Sequence, residues 1–163
     1  MSVINVSAGN EAVLVLADAV ANANVATGAV TGLIVPQMQD ITINNSTGIF
    51  RFKTLDNTAE SAVTTPATNQ ISLNAVVDAT SFFGAGNSPA ADKLIEDGLF
   101  GASKAKTRVY FQVAFDGRDS GSKIFTGSGF ISGLAPTVNM DSPVWITPVT
   151  IEVDGDFTES AVA

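Results

Sequence analysis

Thr107-Arg108-Val109-Tyr110-Phe111-Gln112-Val113-Ala114-Phe115 is the stretch of sequence that decides the fold. Its odd-numbered positions are almost all apolar, whereas Arg108, Tyr110 and Gln112 occupy even-numbered ones. A side-chain period of two residues is typical of a strand with one buried face. We therefore predict an amphipathic strand here.

Two further segments extend this pattern along 106–156. Asp116-Gly117 predicts a hairpin turn, after which 123–134 returns as a second strand. A third strand is predicted over 143–155, where Thr150, Glu152 and Asp154 alternate with apolar positions. The apolar positions of this last strand are Trp145, Val149, Ile151 and Val153. The three segments together predict a β-meander with one polar and one apolar side.

The first half of the chain carries weaker patterns. Residues 1–10 predict an N-terminal arm that needs a neighbour to order it. A strand is predicted up to Leu16, while 17–23 fits strand or helix. Strands are also predicted over 33–44 and 49–55, separated by a turn at 44–48.

The second half adds a loop, a helix and a tail. Residues 56–69 predict a long exposed loop, because they contain four Thr and a Pro without an apolar period. A strand over 71–77 follows. Ser88 as N-cap, Pro89 as first helical residue and Gly98 as the C-terminal stop predict one short helix over 89–97. Residues 157–163 predict a polar C-terminal tail.

Composition restricts the function further. The 163 residues suit a single domain and carry 16 Asp+Glu against 8 Lys+Arg, a net charge of −8. This balance argues against a nucleic-acid-binding surface, which needs clustered cations. The chain has no Cys and no His, which removes disulfides, the commonest metal ligand and the commonest general base. We assign no catalytic, cofactor-binding or metal-binding residue and expect no enzyme activity.

Membrane insertion and secretion are not expected either. The N-terminus lacks the basic region of a signal peptide. The most apolar run, 12–23, is interrupted by Asp18 and Asn22 and is too short to span a bilayer. We therefore expect no membrane anchor.

Several local clusters have a structural explanation. Glu96 with Asp97, and Glu152 with Asp154 and Asp156, are interpreted as solvated faces of a helix and a strand. The sequence 127–129, Gly-Ser-Gly, is interpreted as a strand that admits a close neighbour such as the Trp145 ring. We expect Trp145 itself in the core.

Four segments, in order, resemble the major tail tube proteins of long-tailed (siphovirus-type) bacteriophages. They are 49–57 (Ile-Phe-Arg-Phe-Lys-Thr-Leu-Asp-Asn), 71–78, 88–101 (Ser-Pro-Ala-Ala-Asp-Lys-Leu-Ile-Glu-Asp-Gly-Leu-Phe-Gly), and the pair formed by 125–138 and 149–155. The last pair resembles the family's aromatic-x-Gly-x-Gly strand and its final strand. The resemblance covers roughly residues 30–156.

The resemblance implies a mainly β fold, a β-sandwich or rolled barrel with one short flanking α-helix. It implies hexameric rings whose inner sheets join into one barrel, and which stack into the tail tube through which double-stranded DNA passes without specific binding. The implied partners are further copies of the chain, a tape measure protein and a tail terminator. The implied location is the virion tail, after synthesis in the host cytoplasm.

Candidate site residues follow from this assembly. We expect the loop over 56–69 to reach the adjacent ring and the basic group after the helix to pair with an acidic neighbouring subunit. The expected contact residues are Asp56, Asn57, Thr58, Glu60, Thr64, Thr65, Lys104, Lys106 and Arg108. Strand alternation suggests four lumen-facing acids: Asp40, Asp78, Glu152 and Asp154.

Two alternatives remain open from the sequence. One is another virion protein of related fold: a tail terminator, the inner tube of a contractile tail or a head decoration protein. The other is a carbohydrate-binding β-sandwich, which the single Trp and single Tyr disfavour.

Overall fold

The structure, a computed structural model, describes residues 12–25, 31–35, 37–86 and 92–163, apart from the side chains of 142 and 143. The predicted arm 1–10 and the predicted helix start at Ser88 and Pro89 lie outside these ranges. Within them the chain forms nine strands and two α-helices. These are β1 (Val13–Ala17), β2 (Leu33–Ile34), β3 (Met38–Phe52), β4 (Ser61–Val76), α1 (Ala79–Phe83), α2 (Lys93–Ala105), β5 (Arg108–Ala114), β6 (Lys123–Leu134), β7 (Thr137–Asn139), β8 (Ser142–Val153) and β9 (Thr158–Ala161).

All described strands belong to one antiparallel sheet. Its order is β2-β1-β5-β6-β8-β4-β3, with β7 paired to β8 and β9 paired to β6. The predicted meander is present, because β6 pairs with β5 on one side and with β8 on the other. The mainly β class with a flanking helix is therefore confirmed.

The sheet is rolled, because its two ends are joined by a very short piece of chain. β2 and β3 lie at opposite ends of the strand order, yet only residues 35–37 connect them. Val35 N donates to Leu14 O in β1 at 3.0 Å, while Gln37 O accepts from Val76 N in β4 at 3.2 Å. A chain spans at most about 3.6 Å per residue, so the β1 and β4 sides must meet here.

Apolar side chains fill the inside of this roll. Val109, Phe111 and Val113 of β5 are fully or almost fully buried, as their alternation predicts. Leu94 and Leu99 of α2 join the same core. β1 is buried on both faces, since Val15 packs outward against a second cluster of Val25, Ala114, Ile124 and Val162. This explains why β1 is a continuous apolar run without alternation.

The prediction of a long loop over 56–69 is wrong. Most of it belongs to β4, which pairs with β3 from Ser61 onward. The eight residues 61–68 are exposed, so they show no apolar alternation. Pro66 does not break the ladder because it lies at a bulge, where one extra β4 residue faces Gly48. The predicted turn at 44–48 is likewise part of β3, and the chain turns at 53–60 instead.

The helix and the tail also differ from their predictions. Helix α2 continues to Ala105 instead of ending at 97. Gly98 does interrupt it, with a positive φ of 70°, a conformation that favours glycine. The predicted polar tail 157–163 contains β9, which pairs with β6, and the buried Val162. Val162 packs in a buried cluster. The mostly polar composition of the tail gave no indication of this contact.

Candidate functional site

A two-stranded ribbon projects beyond the rolled sheet. We define the ribbon as residues 45–68, the part of β3 and β4 that lies beyond the pairing of β4 with β8, together with the turn between them. That pairing ends at Gln70 opposite Glu152, so, among the described residues, 61–68 pair with β3 alone. An isolated two-stranded hairpin is marginally stable in water. The ribbon is therefore an element that gains from contact with a partner.

The ribbon exposes apolar side chains that a surface strand normally avoids. Phe50 is 60% exposed, and its ring stacks on that of Phe52 at 6.2 Å between centroids. Leu55 at the turn is fully exposed, and Ile49 and Val63 are more than half exposed. A cluster of this kind is typical of an interaction surface.

The rolled sheet also has open strand edges. In the described residues, β3 pairs on one side only, over its 15 residues. At the other side of the sub-sheet β3-β4-β8-β6, residues 131–134 of β6 pair with β8 but not with β5, whose ladder ends at Phe130. An unpaired edge is a template for strand addition. The sub-sheet therefore offers one open edge at each side.

One side of this sub-sheet is a polar surface, which we call the polar face. Asp40 lies opposite Asn74 and accepts from its backbone N at 3.1 Å and its Nδ2 at 2.8 Å. Glu152 lies opposite Gln70 and accepts from its Nε2 at 2.7 Å. Ser72 occupies the same side of β4 between them. Two of the four acids predicted to face a lumen thus share this face.

The other two predicted acids have local structural roles. Asp78 caps α1, because its carboxylate accepts from Ser81 N at 3.0 Å. Asp154 follows the end of β8 and pairs with Arg108, whose guanidinium also lies over the Phe130 ring at 5.1 Å. Neither acid belongs to the central ladder of the polar face, since strand alternation no longer applies beyond the ends of β4 and β8.

The predicted contact residues separate into four groups. Arg108 is engaged within its own chain, whereas Lys104 and Lys106 are exposed near the end of α2. Thr64 and Thr65 belong to β4. The remaining contact residues lie in the exposed ribbon turn: Asp56, Asn57, Thr58 and Glu60. A hydrogen bond with the Thr54 side chain, followed by one to its own backbone, holds the pKa of Asp56 below its ordinary value.

An apolar cleft that no sequence pattern indicated lies where β4 ends and β8 begins. The aromatic cleft has a volume of about 300 Å³ and is lined by Val77, Ala79, Phe83, Val144 and Trp145. The expectation that Trp145 lies in the core is wrong, because its side chain is 47% exposed. Trp145 lies on the side of β8 that faces the core. It precedes, however, the part of β8 that pairs with β4.

The glycines of β6 do admit close neighbours, but not Trp145. A Cβ on Gly127 would lie 2.7 Å from Cζ of Phe111, and a Cβ on Gly129 would meet the Glu152 carbonyl oxygen. Close neighbours do therefore lie against the glycines of β6. These neighbours are the Phe111 ring and the backbone of β8, not Trp145.

A buried carboxylate at the start of α2 was also missed. Asp92 is 1% exposed and caps the helix by accepting from Leu94 N at 2.8 Å. An acidic residue directly before Lys93-Leu94-Ile95 is an N-cap signal that competes with Ser88 in the sequence. Burial, and then the hydrogen bond with the Asp18 side chain, raise the pKa of Asp92.

Metal and membrane sites find no support in the described ranges. Over 12–25, 31–35, 37–86 and 92–163, no three Asp and Glu side chains are grouped so that they could hold a metal ion. None of the helices in this part of the chain is long and apolar enough to cross a bilayer.

Comparison with known proteins identifies the fold. No protein-family model and no curated protein matches the sequence. The chain is similar to one from the SPP1 tail tube, with a TM-score of 0.64 and 12% identity over 95% of this chain and 79% of that one. It is similar to one from the tail of an empty gene transfer agent particle with C6 symmetry, with a TM-score of 0.62 and 12% identity over 96% and 100%.

A third similar chain belongs to a contractile system. It comes from the sheath–tube complex of an extracellular contractile injection system, PVC, in its extended state. The TM-score is 0.59 and the identity 12%, over 96% of this chain and 92% of that one. The rolled sheet described above is therefore the fold that occurs in phage tail tubes and related tube assemblies.

Proposed function

We propose that this chain is a structural virion protein that assembles into stacked hexameric rings and forms a phage tail tube, the conduit for DNA ejection. The observation that carries the proposal is the pair of open edges on the sub-sheet β3-β4-β8-β6. A ring in which β3 of one copy pairs with 131–134 of β6 in the next would extend this sub-sheet into a closed barrel. Closure removes both open edges of the sub-sheet and with them the risk of uncontrolled strand addition there.

The composition of the polar face supports our proposal that this face lines the lumen. Its acids, Asp40 and Glu152, are held by Asn74 and Gln70. A wall with hydrogen-bonded polar groups and negative charge repels phosphates and does not retain DNA. We place this face toward the lumen and the helix side toward the outside. In this arrangement the protein has no catalytic role.

The remaining parts of the assembly are also proposed. The tube would need a tape measure protein inside it during assembly and a terminator at its end. The protein would be made in the host cytoplasm and end in the virion tail. The exposed Lys104 and Lys106 would pair with acids of a neighbouring subunit, at a surface where such pairs contribute to specificity more than to affinity.

A second candidate is the tube, or the terminating cap, of a contractile injection system. The similarity to the PVC sheath–tube chain favours it, as does that to a chain of the anti-feeding prophage cap, with a TM-score of 0.59 and 10% identity over 99% of this chain and 95% of that one. A cap would form single closed rings, whereas a tube protein adds rings without limit.

Assembly of the purified protein tests the proposal. The chain would be concentrated stepwise and imaged by negative-stain electron microscopy, with analytical ultracentrifugation of the same samples. We expect hollow tubes of open-ended length built from six-fold rings. Single rings at all concentrations would favour the cap, and a monomer at all concentrations would contradict both candidates.

A further inference from the structure

The ribbon has one apolar face of defined composition. Phe50 lies opposite Val63 and Phe52 opposite Ser61, so these four side chains share a face. Arg51 alternates with the two phenylalanines and therefore lies on the opposite face of the ribbon. The face that carries Phe50, Phe52 and Val63 therefore needs an apolar partner.

The aromatic cleft has the matching properties. Phe83, Val144 and Trp145 are each more than 40% exposed, and the Phe100 ring extends the apolar surface at 6.4 Å from that of Phe83. This apolar surface thus corresponds to the apolar face of the ribbon.

The two surfaces lie at opposite ends of the same strand. β4 runs from the ribbon at Ser61 to the cleft at Val76. At about 3.3 Å per residue, Val63 and Val76 are roughly 40 Å apart. The ribbon therefore cannot fill the cleft of its own chain. Surfaces that match but lie at opposite ends of a molecule produce a head-to-tail contact that repeats from copy to copy.

We propose that the aromatic cleft receives the apolar face of the ribbon from a second copy of this chain in the adjacent ring. The inference rests on the proposed function and deepens it, because it names the receiving surface of the ring-to-ring contact. Phe50 and Phe52 fill the cleft beside Trp145. The same contact orders the ribbon, whose residues 61–68 are exposed among the described parts of the chain.

Site-directed cross-linking tests this pairing, because the natural chain has no cysteine. Ser61→Cys places a thiol on the apolar face of the ribbon, and Ala79→Cys places one in the cleft, with the aromatic side chains unchanged. The two variants are mixed, assembled and treated with a short bismaleimide. We expect a covalent dimer that contains one chain of each variant, identified by a size tag on one of them.

A matched control uses a thiol away from both surfaces. Ser120→Cys lies in the exposed turn between β5 and β6. Mixed with Ala79→Cys, it should give at least tenfold less cross-linked dimer. Equal yields from the Ser61 and Ser120 mixtures would overturn the pairing.

Two blocking variants give a second readout. Phe50→Ser with Phe52→Ser removes the ribbon's apolar face and keeps the cleft, whereas Trp145→Ser weakens the cleft and keeps the ribbon. Each variant alone should form rings that do not stack, and their mixture should form stacks of two rings. Long tubes from either variant would overturn the inference while wild-type tubes still support the proposed function. Wild-type protein that never assembles would instead contradict the proposed function.

Discussion

The backbone N–H of Asp18 donates to both carboxylate oxygens of Asp92, at 3.2 and 3.1 Å. In return, the Asp18 carboxylate accepts from the backbone N of Lys93 at 3.2 Å. Asn22 Nδ2 donates to both acids. These reciprocal bonds tie the chain just after β1 to the N-terminus of α2, so the helix is held against the rolled sheet by two carboxyl groups.

The two carboxyl groups of this junction should give opposite pH effects. Burial raises the pKa of Asp92, whereas for Asp18 burial is outweighed by hydrogen bonds to Asp92, Lys93 and Asn22, which lower its pKa. A raised pKa contributes stability at low pH that is lost as the pH rises through it. A lowered pKa contributes stability at neutral pH that is lost as the pH falls through it.

Substitutions at the two positions should separate these effects. We expect Asp18→Asn to cost about 1 kcal/mol of unfolding free energy near neutral pH, with the loss shrinking in acid. Asp92→Asn keeps an N-cap oxygen. Its loss of unfolding free energy relative to the wild type should become smaller as the pH rises from about 3 to 7. Urea unfolding across this range measures both differences. Differences in unfolding free energy that do not change with pH would contradict the raised pKa of Asp92 and the lowered pKa of Asp18.

Two glycines of β6 should differ sharply in their tolerance of a methyl group. A Cβ on Gly129 would meet the carbonyl oxygen of Glu152 in β8, which cannot move without breaking the ladder. A Cβ on Gly133 would lie 3.7 Å from the Thr150 side chain, an ordinary contact. We expect Gly129→Ala to cost about 3 kcal/mol and Gly133→Ala less than about 0.5 kcal/mol, measured by chemical unfolding. Equal losses would show that the strand spacing is wrong.

Strands whose side chains alternate were predictable from the sequence, including the Phe50–Phe52 part of the ribbon, whereas the 61–68 part of the ribbon, which does not alternate, was not. β5, β6 and β8 have alternating side chains because the rolled sheet buries every second residue. The ribbon has the same backbone but no buried face, so its sequence around Pro66 has the composition of a loop. The Asp18–Asp92 junction joins residues that are far apart in the sequence, and no local spacing indicates it.

Surface residues followed the same rule. Alternation puts Asp40 and Glu152 on one polar face, because both lie within paired strands. It does not apply to Asp78 and Asp154, which follow the ends of β4 and β8, and it failed for Trp145, which precedes the part of β8 that pairs with β4. The period of a strand tells which side a residue occupies, but not whether another element covers that side.

Removal of the ribbon should abolish stacking without unfolding the body. The change replaces 46–68 with Asn-Gly and joins Asn45 to Asn69, which already lie opposite each other. The β4–β8 ladder starts at Gln70 and is retained. We expect a melting temperature within a few degrees of the wild type and no long tubes by electron microscopy. Normal tubes from this variant would exclude the ribbon as the ring-to-ring contact.

Charge reversal on the polar face should make the proposed tube retain DNA. Asp40→Lys with Glu152→Lys adds cations to the face that we place toward the lumen, and cations bind phosphates with a strong salt dependence. The matched control, Asp116→Lys with Asp119→Lys, makes the same change in charge in the β5–β6 turn, away from the polar face. Both variants would first be checked for wild-type melting and tube formation.

The readout is the fraction of double-stranded DNA that sediments with assembled tubes at a series of salt concentrations. We expect wild-type tubes to retain little DNA, and the polar-face variant to retain at least tenfold more at low salt, with a steep decrease as salt rises. The turn variant should resemble the wild type, because a charge outside the confined channel is screened within about 10 Å at 0.1 M salt. If both variants retain DNA equally, charge on the polar face does not govern passage, and this face does not line the lumen.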